Sequence, residues 1–148
     1  MAAAFTTRRL VEFRDTDAAG IAHFSAFFPW MESAEHELLR SIGVALIERL
    51  PDDAVPGGPA QVSWPRVSAA CDYTSAVRFG DELDVAVTVE ALGRSSVTYG
   101  FRFTHGDLEV ARGRVVAVRC ILRPDRRPEP EPIPEDVAAR LARFHGAA

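Results

Sequence analysis

Between residues 83 and 104 apolar side chains occupy every second position. Leu83, Val85, Val87, Val89 and Ala91 are separated by Asp84, Ala86, Thr88 and Glu90, and Val97, Tyr99, Phe101 and Phe103 repeat the pattern. A period of two sends successive side chains to opposite faces, so both segments predict strands with one buried face. Two further strands are expected, at 62–76 and 110–122. Short polar connections at Gly93-Arg94 and His105-Gly106-Asp107 join the last three into an antiparallel meander. The stretch 115–122 is apolar at both parities except for Arg119. It therefore predicts a strand covered on both sides, in which Arg119 requires a carboxylate or phosphate partner.

Upstream the period changes. Phe27, Trp30, Met31, Ala34 and Leu38 recur at spacings of three and four, with Glu32, Glu35, Glu37 and Arg40 mostly on the other side, which predicts an amphipathic helix. Ser25 is its candidate N-cap, Pro29 is tolerated in a first turn, and Gly43 marks its end. Residues 6–14 predict an opening strand that runs into a turn through Asp15, Thr16, Asp17 and Gly20. The proline- and glycine-rich segment 50–61 predicts a loop, the tail from about 123 to 134 is proline-rich and charged, and 135–145 predicts a short helix. No internal repeat is present. Strand, long helix and antiparallel meander in that order imply a single α+β domain over residues 1–148, with one helix wrapped by a curved sheet.

Composition narrows the function classes. The chain has 148 residues, 47% hydrophobic and 26% charged, the balance of a globular protein. Arginine supplies the positive charge, but the net charge is −4, so no nucleic-acid partner is expected. No apolar run approaches the roughly 18 residues of a membrane span, and the first residues lack the pattern of a secretory signal, so the expected location is the cytoplasm without membrane attachment. Cys71 and Cys120 lie in apolar, strand-like stretches and are read as core residues, not as a disulfide or a zinc site.

The segment VEFRDTDAAGIAHFSAFFPWMESAEHELLRSIG, residues 11–43, resembles the signature of the 4-hydroxybenzoyl-CoA thioesterase family, a group of hotdog-fold acyl-CoA thioesterases. Phe13, Asp15, Asp17, Gly20, Ile21, His23, Phe24, Phe28, Trp30 and Glu32 carry the likeness. CDYTSAVRFGDELDV at 71–85 and SSVTYGF at 95–101 continue it, so that it covers about residues 6 to 122.

The resemblance implies hydrolysis of an aryl- or aliphatic acyl-CoA thioester to the free acid and coenzyme A. Asp17 matches the catalytic carboxylate, acting as nucleophile or general base, and the backbone N–H of Phe24 matches the oxyanion donor. Some branches place a histidine where this chain has Phe24; His23 is its neighbour and a candidate assistant. Asp15 is read as a loop-fixing residue. Gly20, Phe27, Trp30 and Glu32 are candidate substrate-binding residues, and Arg78, Arg94, Arg112, Arg114 and Arg119 are available for the coenzyme A phosphates. Neither a metal nor a cofactor beyond the substrate's own coenzyme A is implied, and the family pattern implies a homodimer or homotetramer. Two other readings remain open at this point: a non-catalytic acyl-CoA or acyl-carrier binding protein, and a hotdog acyl-CoA hydratase or dehydratase.

Overall fold

In the computed structural model, which describes residues 4–51 and 59–146, the alternating segments are strands. β5 (Glu82–Leu92), β6 (Ser96–His105) and β7 (Leu108–Val118) form the expected meander. β1 (Phe5–Leu10) adds to β5 and β4 (Arg66–Tyr73) adds to β7, giving the antiparallel order β1-β5-β6-β7-β4. A second sheet runs β2 (Glu48–Arg49), β3 (Gln61–Ser63), β8 (Cys120–Leu122), β9 (Glu129–Pro130). The centre of the expected loop at 50–61 lies outside the described residues. Among the described residues no helix is long and apolar enough to cross a membrane.

The helix α1 (Phe27–Ser41) lays Phe27, Trp30, Met31, Ala34, Leu38 and Leu39 against Val85, Val87, Tyr99, Phe101 and Phe103 of the large sheet, all buried. Side chains of this size contribute roughly 1.5–3 kcal/mol each on burial, so the stripe and the alternating strands form one hydrophobic unit. Gly113 on β7 lets the two layers approach, because a Cβ there would meet the Met31 side chain. The tail packs back as well: α2 (Glu135–Leu141) buries Leu141, and Arg140 donates to the Ile42 carbonyl at 3.1 Å, closing the end of α1. A long helix on an antiparallel sheet is the α+β arrangement expected of a hotdog fold.

Several boundaries differ from the sequence expectation. The opening strand stops at Leu10, because Val11 N–H turns to the Asp81 carbonyl and Phe13–Asp15 form a 3-10 turn. The segment expected as one strand at 62–76 breaks at Trp64-Pro65, where proline has no N–H for a ladder, and its halves join different sheets. The segment 110–122 breaks at Arg119. Its burial alternates instead of being two-sided, with Val116 and Val118 only half-buried, and Arg119 donates to the Pro132 carbonyl at 3.2 Å, not to a carboxylate or phosphate. The helix begins at Phe27. Ser25 belongs to a 3-10 turn before it, and the side chain of His23 caps that turn by accepting from Ser25 N–H at 3.2 Å.

Glu35 also departs from its expected place on the polar side of the helix. It is 1% exposed, and its Oε2 accepts from Arg66 Nη2 of β4 at 2.8 Å. The same guanidinium lies 3.1 Å from His36 Nε2. Glu35 Oε1 and the Tyr99 hydroxyl are buried without a hydrogen-bond partner among the described residues. Burial raises the Glu35 carboxyl to about 7, the Arg66 cation offsetting only part of that effect. Cys120 is buried and Cys71 half-buried, and both thiols are free. Burial raises the Cys71 thiol to about 11, against a nucleophilic role.

Candidate active site

The chain between β1 and α1 is held by its own polar residues. Asp15 Oδ2 accepts from Glu12 N–H at 2.9 Å, fixing the 3-10 turn, and the Asp15 carbonyl accepts from His23 N–H at 2.7 Å. Asp17 exchanges backbone contacts across a tight loop: its N–H donates to Ile21 O and its carbonyl accepts from Gly20 N–H, both at 2.9 Å. Gly20 sits at φ +79°, a conformation that a Cβ would strain. Ile21 pairs with Arg78 in an isolated antiparallel bridge and Ala22 N–H donates to Val77 O at 2.8 Å, so the loop is fastened to the connection between β4 and β5.

Within that frame the half-buried Asp17 carboxylate has two different oxygens. Oδ1 accepts from Ala19 N–H at 2.8 Å and shapes the turn. Oδ2 has no hydrogen-bond partner among the described residues and is free to accept from a water or to meet an electrophile. Asp17 lines a cavity of about 360 Å³ with Ile21, Ala22, Phe24, Phe27, Tyr73 and the backbone run Thr74–Val77. Phe24 opens the 3-10 turn that leads into α1, and its N–H has no partner among the described residues. A residue with an unengaged carboxylate oxygen and a residue with an unpaired amide N–H thus line one mostly apolar cavity. That is the minimum set for adding water to a polarised carbonyl: a base or nucleophile, and a donor for the charge that develops on oxygen.

The other candidates are distributed differently. Phe27 lies in this cavity. Gly20 lines a second space of about 510 Å³, which Asp17 also borders, with the exposed rings of Phe13 and Phe79. His23 and Trp30 line a groove of about 820 Å³ between β1 and α1 that excludes Asp17, and His23 Nδ1 is occupied by Ser25, 2.7 Å from its Oγ. Glu32 is exposed on α1 and lines none of these three spaces. Although the groove is the largest of the three, its arginines are engaged by acids: Arg8 with Asp84 at 3.0 Å, Arg9 with Glu37 at 3.3 Å and Arg14 with Glu12 at 2.7 Å. Of the arginines considered for phosphates, Arg112 and Arg114 are paired with Glu109 and Glu90, and Arg78 is the one that borders the Asp17 loop.

Sequence reasoning missed Tyr73. Its hydroxyl donates to the Phe24 carbonyl at 2.7 Å, and its ring stands edge-on to Phe27 at 5.2 Å. The only signal was its place in the stretch DYTS at the end of a strand, which says nothing of the partner.

Comparison with known proteins gives the family. The chain matches the Thioesterase-like superfamily over residues 11–141. It is 30% identical over 122 residues to the 1,4-dihydroxy-2-naphthoyl-CoA hydrolase of Synechococcus sp. (strain RCC307), covering 82% of this chain and 90% of that protein. The hydrolase of the same name from Prochlorococcus marinus (strain NATL2A) is 29% identical over 96 residues, and there the match spans 62% of the relative's length. Among solved structures, a 1,4-dihydroxy-2-naphthoyl-CoA thioesterase from Synechocystis superposes with a TM-score of 0.76 at 22% identity over 94% of this chain and 96% of that one, a likeness of fold. With the family match covering the loop, the helix and every strand of the meander, the chain belongs to the Thioesterase-like superfamily.

Proposed function

We propose that this thioester hydrolase acts on acyl-CoA, with an aryl acyl group in the cavity beside Asp17, and that it follows the aspartate-motif chemistry of the 4-hydroxybenzoyl-CoA thioesterases. The observation that supports the reading is the shared cavity lined by Asp17, whose Oδ2 has no partner among the described residues, and by Phe24, whose N–H has none. The thioester oxygen accepts from Phe24 N–H. Asp17 then either takes a proton from water as the water oxygen adds to the carbonyl, or adds to the carbonyl itself and leaves an anhydride for water to open. In both courses the C–S bond breaks, the thiolate takes up a proton, and a carboxylic acid and coenzyme A leave. The rings of Phe24, Phe27 and Tyr73 suit a flat acyl group, and the relatives in Synechococcus and Prochlorococcus are named for an aryl-CoA.

The test is thiol release from benzoyl-CoA, 1,4-dihydroxy-2-naphthoyl-CoA, butyryl-CoA and palmitoyl-CoA. The expected result is turnover with kcat/KM at least about tenfold higher for the aryl pair. Binding of all four without thiol release would replace the hydrolase reading with a carrier, and an aliphatic preference would overturn the aryl assignment.

A homodimer is part of this proposal. Among the described residues β4 ends the large sheet with no strand on its outer side, and the side chains Val67, Ser68, Ala69 and Ala70 along it are exposed. An eight-residue edge strand with Val67, Ser68, Ala69 and Ala70 in succession is a template for pairing with another strand, and a second copy supplies it symmetrically. Sedimentation velocity at micromolar concentration should give twice the chain mass; a monomer of 16.2 kDa would sink the assignment.

A further inference from the structure

We infer that Tyr73 is a positioning residue of this site: its hydroxyl, reaching across from β4, fixes the peptide that follows Phe24 and so holds in place the turn that carries the unpaired Phe24 N–H. The inference rests on the reading above, in which that N–H receives the thioester oxygen.

Two peptide planes meet at the Phe24 Cα and between them carry four polar groups. In the plane before Phe24, the His23 carbonyl accepts from Ala26 N–H at 2.9 Å. In the plane after it, Ser25 N–H donates to His23 Nδ1 at 3.2 Å, and the Phe24 carbonyl accepts from the Tyr73 hydroxyl at 2.7 Å. Three of the four are therefore tied, and the fourth is the Phe24 N–H, which has no partner among the described residues. A donor built this way needs no rearrangement when charge develops on a substrate oxygen, which is where such donors gain their effect.

The three ties differ in reach. Those from Ala26 and His23 are made within the turn and move with it. Tyr73 is 49 residues away in sequence and stands on a strand hydrogen-bonded to β7. Its tie alone, among the three, holds the turn against the sheet that also carries the cavity wall Thr74–Val77. The ring's edge-on contact with Phe27 sets its direction without the hydroxyl. Burial first, then Cys71 and Asp72, raise the phenol above its ordinary range, so it keeps the proton that it donates.

Tyr73→Phe removes the hydroxyl and retains the ring. With 1,4-dihydroxy-2-naphthoyl-CoA, kcat should fall about tenfold, less than the loss of a whole oxyanion donor, while KM stays within twofold. A second readout is independent of turnover. In the Asp17→Asn background, the infrared stretch of a 13C-labelled thioester carbonyl in bound substrate should move back toward its solution frequency when Tyr73→Phe is added. If the wild type turns over and Tyr73→Phe keeps kcat within twofold, or raises KM alone, the positioning role is wrong and the hydrolase reading stands. An unshifted carbonyl band overturns the positioning role in the same way. If the wild type releases no thiol from any acyl-CoA, the reading beneath it fails as well.

Discussion

Asp17→Asn should lower the rate of thiol release by about a hundredfold or more, the range expected when a general base or carboxylate nucleophile is lost, and should leave the fold intact. The two halves of that expectation come from the two oxygens of the side chain. Oδ1 accepts from Ala19 N–H, and an asparagine oxygen does the same, so the turn through Gly20 survives. The position of Oδ2 becomes an NH2 group, which can neither take a proton from water nor attack a carbonyl. Stopped-flow thiol detection beside a thermal melt separates the two roles. An Asp17→Asn protein that melts with the wild type and hydrolyses acyl-CoA equally fast would mean that Asp17 shapes the turn and nothing more.

Between pH 4.5 and about 7 the protein should lose stability as pH rises, through the titration of Glu35. The sign follows from the direction of its shift. Burial holds the folded-state pKa at about 7, above the ordinary carboxyl value of 4.5, so the folded chain binds the extra proton across this window. Stability falls with pH wherever the folded state holds more protons, by about 3 kcal/mol in total if the full shift acts on folding. Arg66 limits that loss by pairing with the ionised carboxylate at 2.8 Å.

Arg66→Met keeps much of the aliphatic stem and removes the cation. It should cost about 3 kcal/mol at pH 9, where an unpaired buried carboxylate is left, and less than half of that at pH 5, where Glu35 is protonated. Glu35→Gln should flatten the pH dependence. Denaturant midpoints across the pH series check all three. An Arg66→Met penalty equal at pH 5 and pH 9 would show that packing, not charge, accounts for it.

The parts of the molecule legible in the sequence are those governed by local periodicity. The alternation at 83–91 and 97–103 became β5 and β6, and the stripe from Phe27 to Leu38 became the buried face of α1. Errors clustered where a tertiary partner replaced a local preference. Glu35 reads as a polar-face residue until Arg66, 31 positions away, gives it a charge to pair with inside. Ser25 reads as an N-cap, but the His23 ring takes the capping contact and delays the helix to Phe27. Arg119 was expected to demand an anion, and a proline carbonyl across the second sheet met it instead.

For the candidate site the division is sharper. By itself the sequence determined the turn that bears Asp17, because Asp15, Asp17 and Gly20 make their defining contacts within eight residues of one another. It determined β5, β6 and the buried face of α1 for the same reason: backbone hydrogen bonding imposes a period, and a period is visible in a linear string. Only the tertiary structure decided which polar groups share a cavity with Asp17. It brought in Phe24 and Tyr73, directed His23 and Trp30 to another groove, and left Glu32 in solvent. Those outcomes depend on how β4 closes against β7 and on which way a turn faces once the sheet is formed, and contacts between residues tens of positions apart leave no period to read.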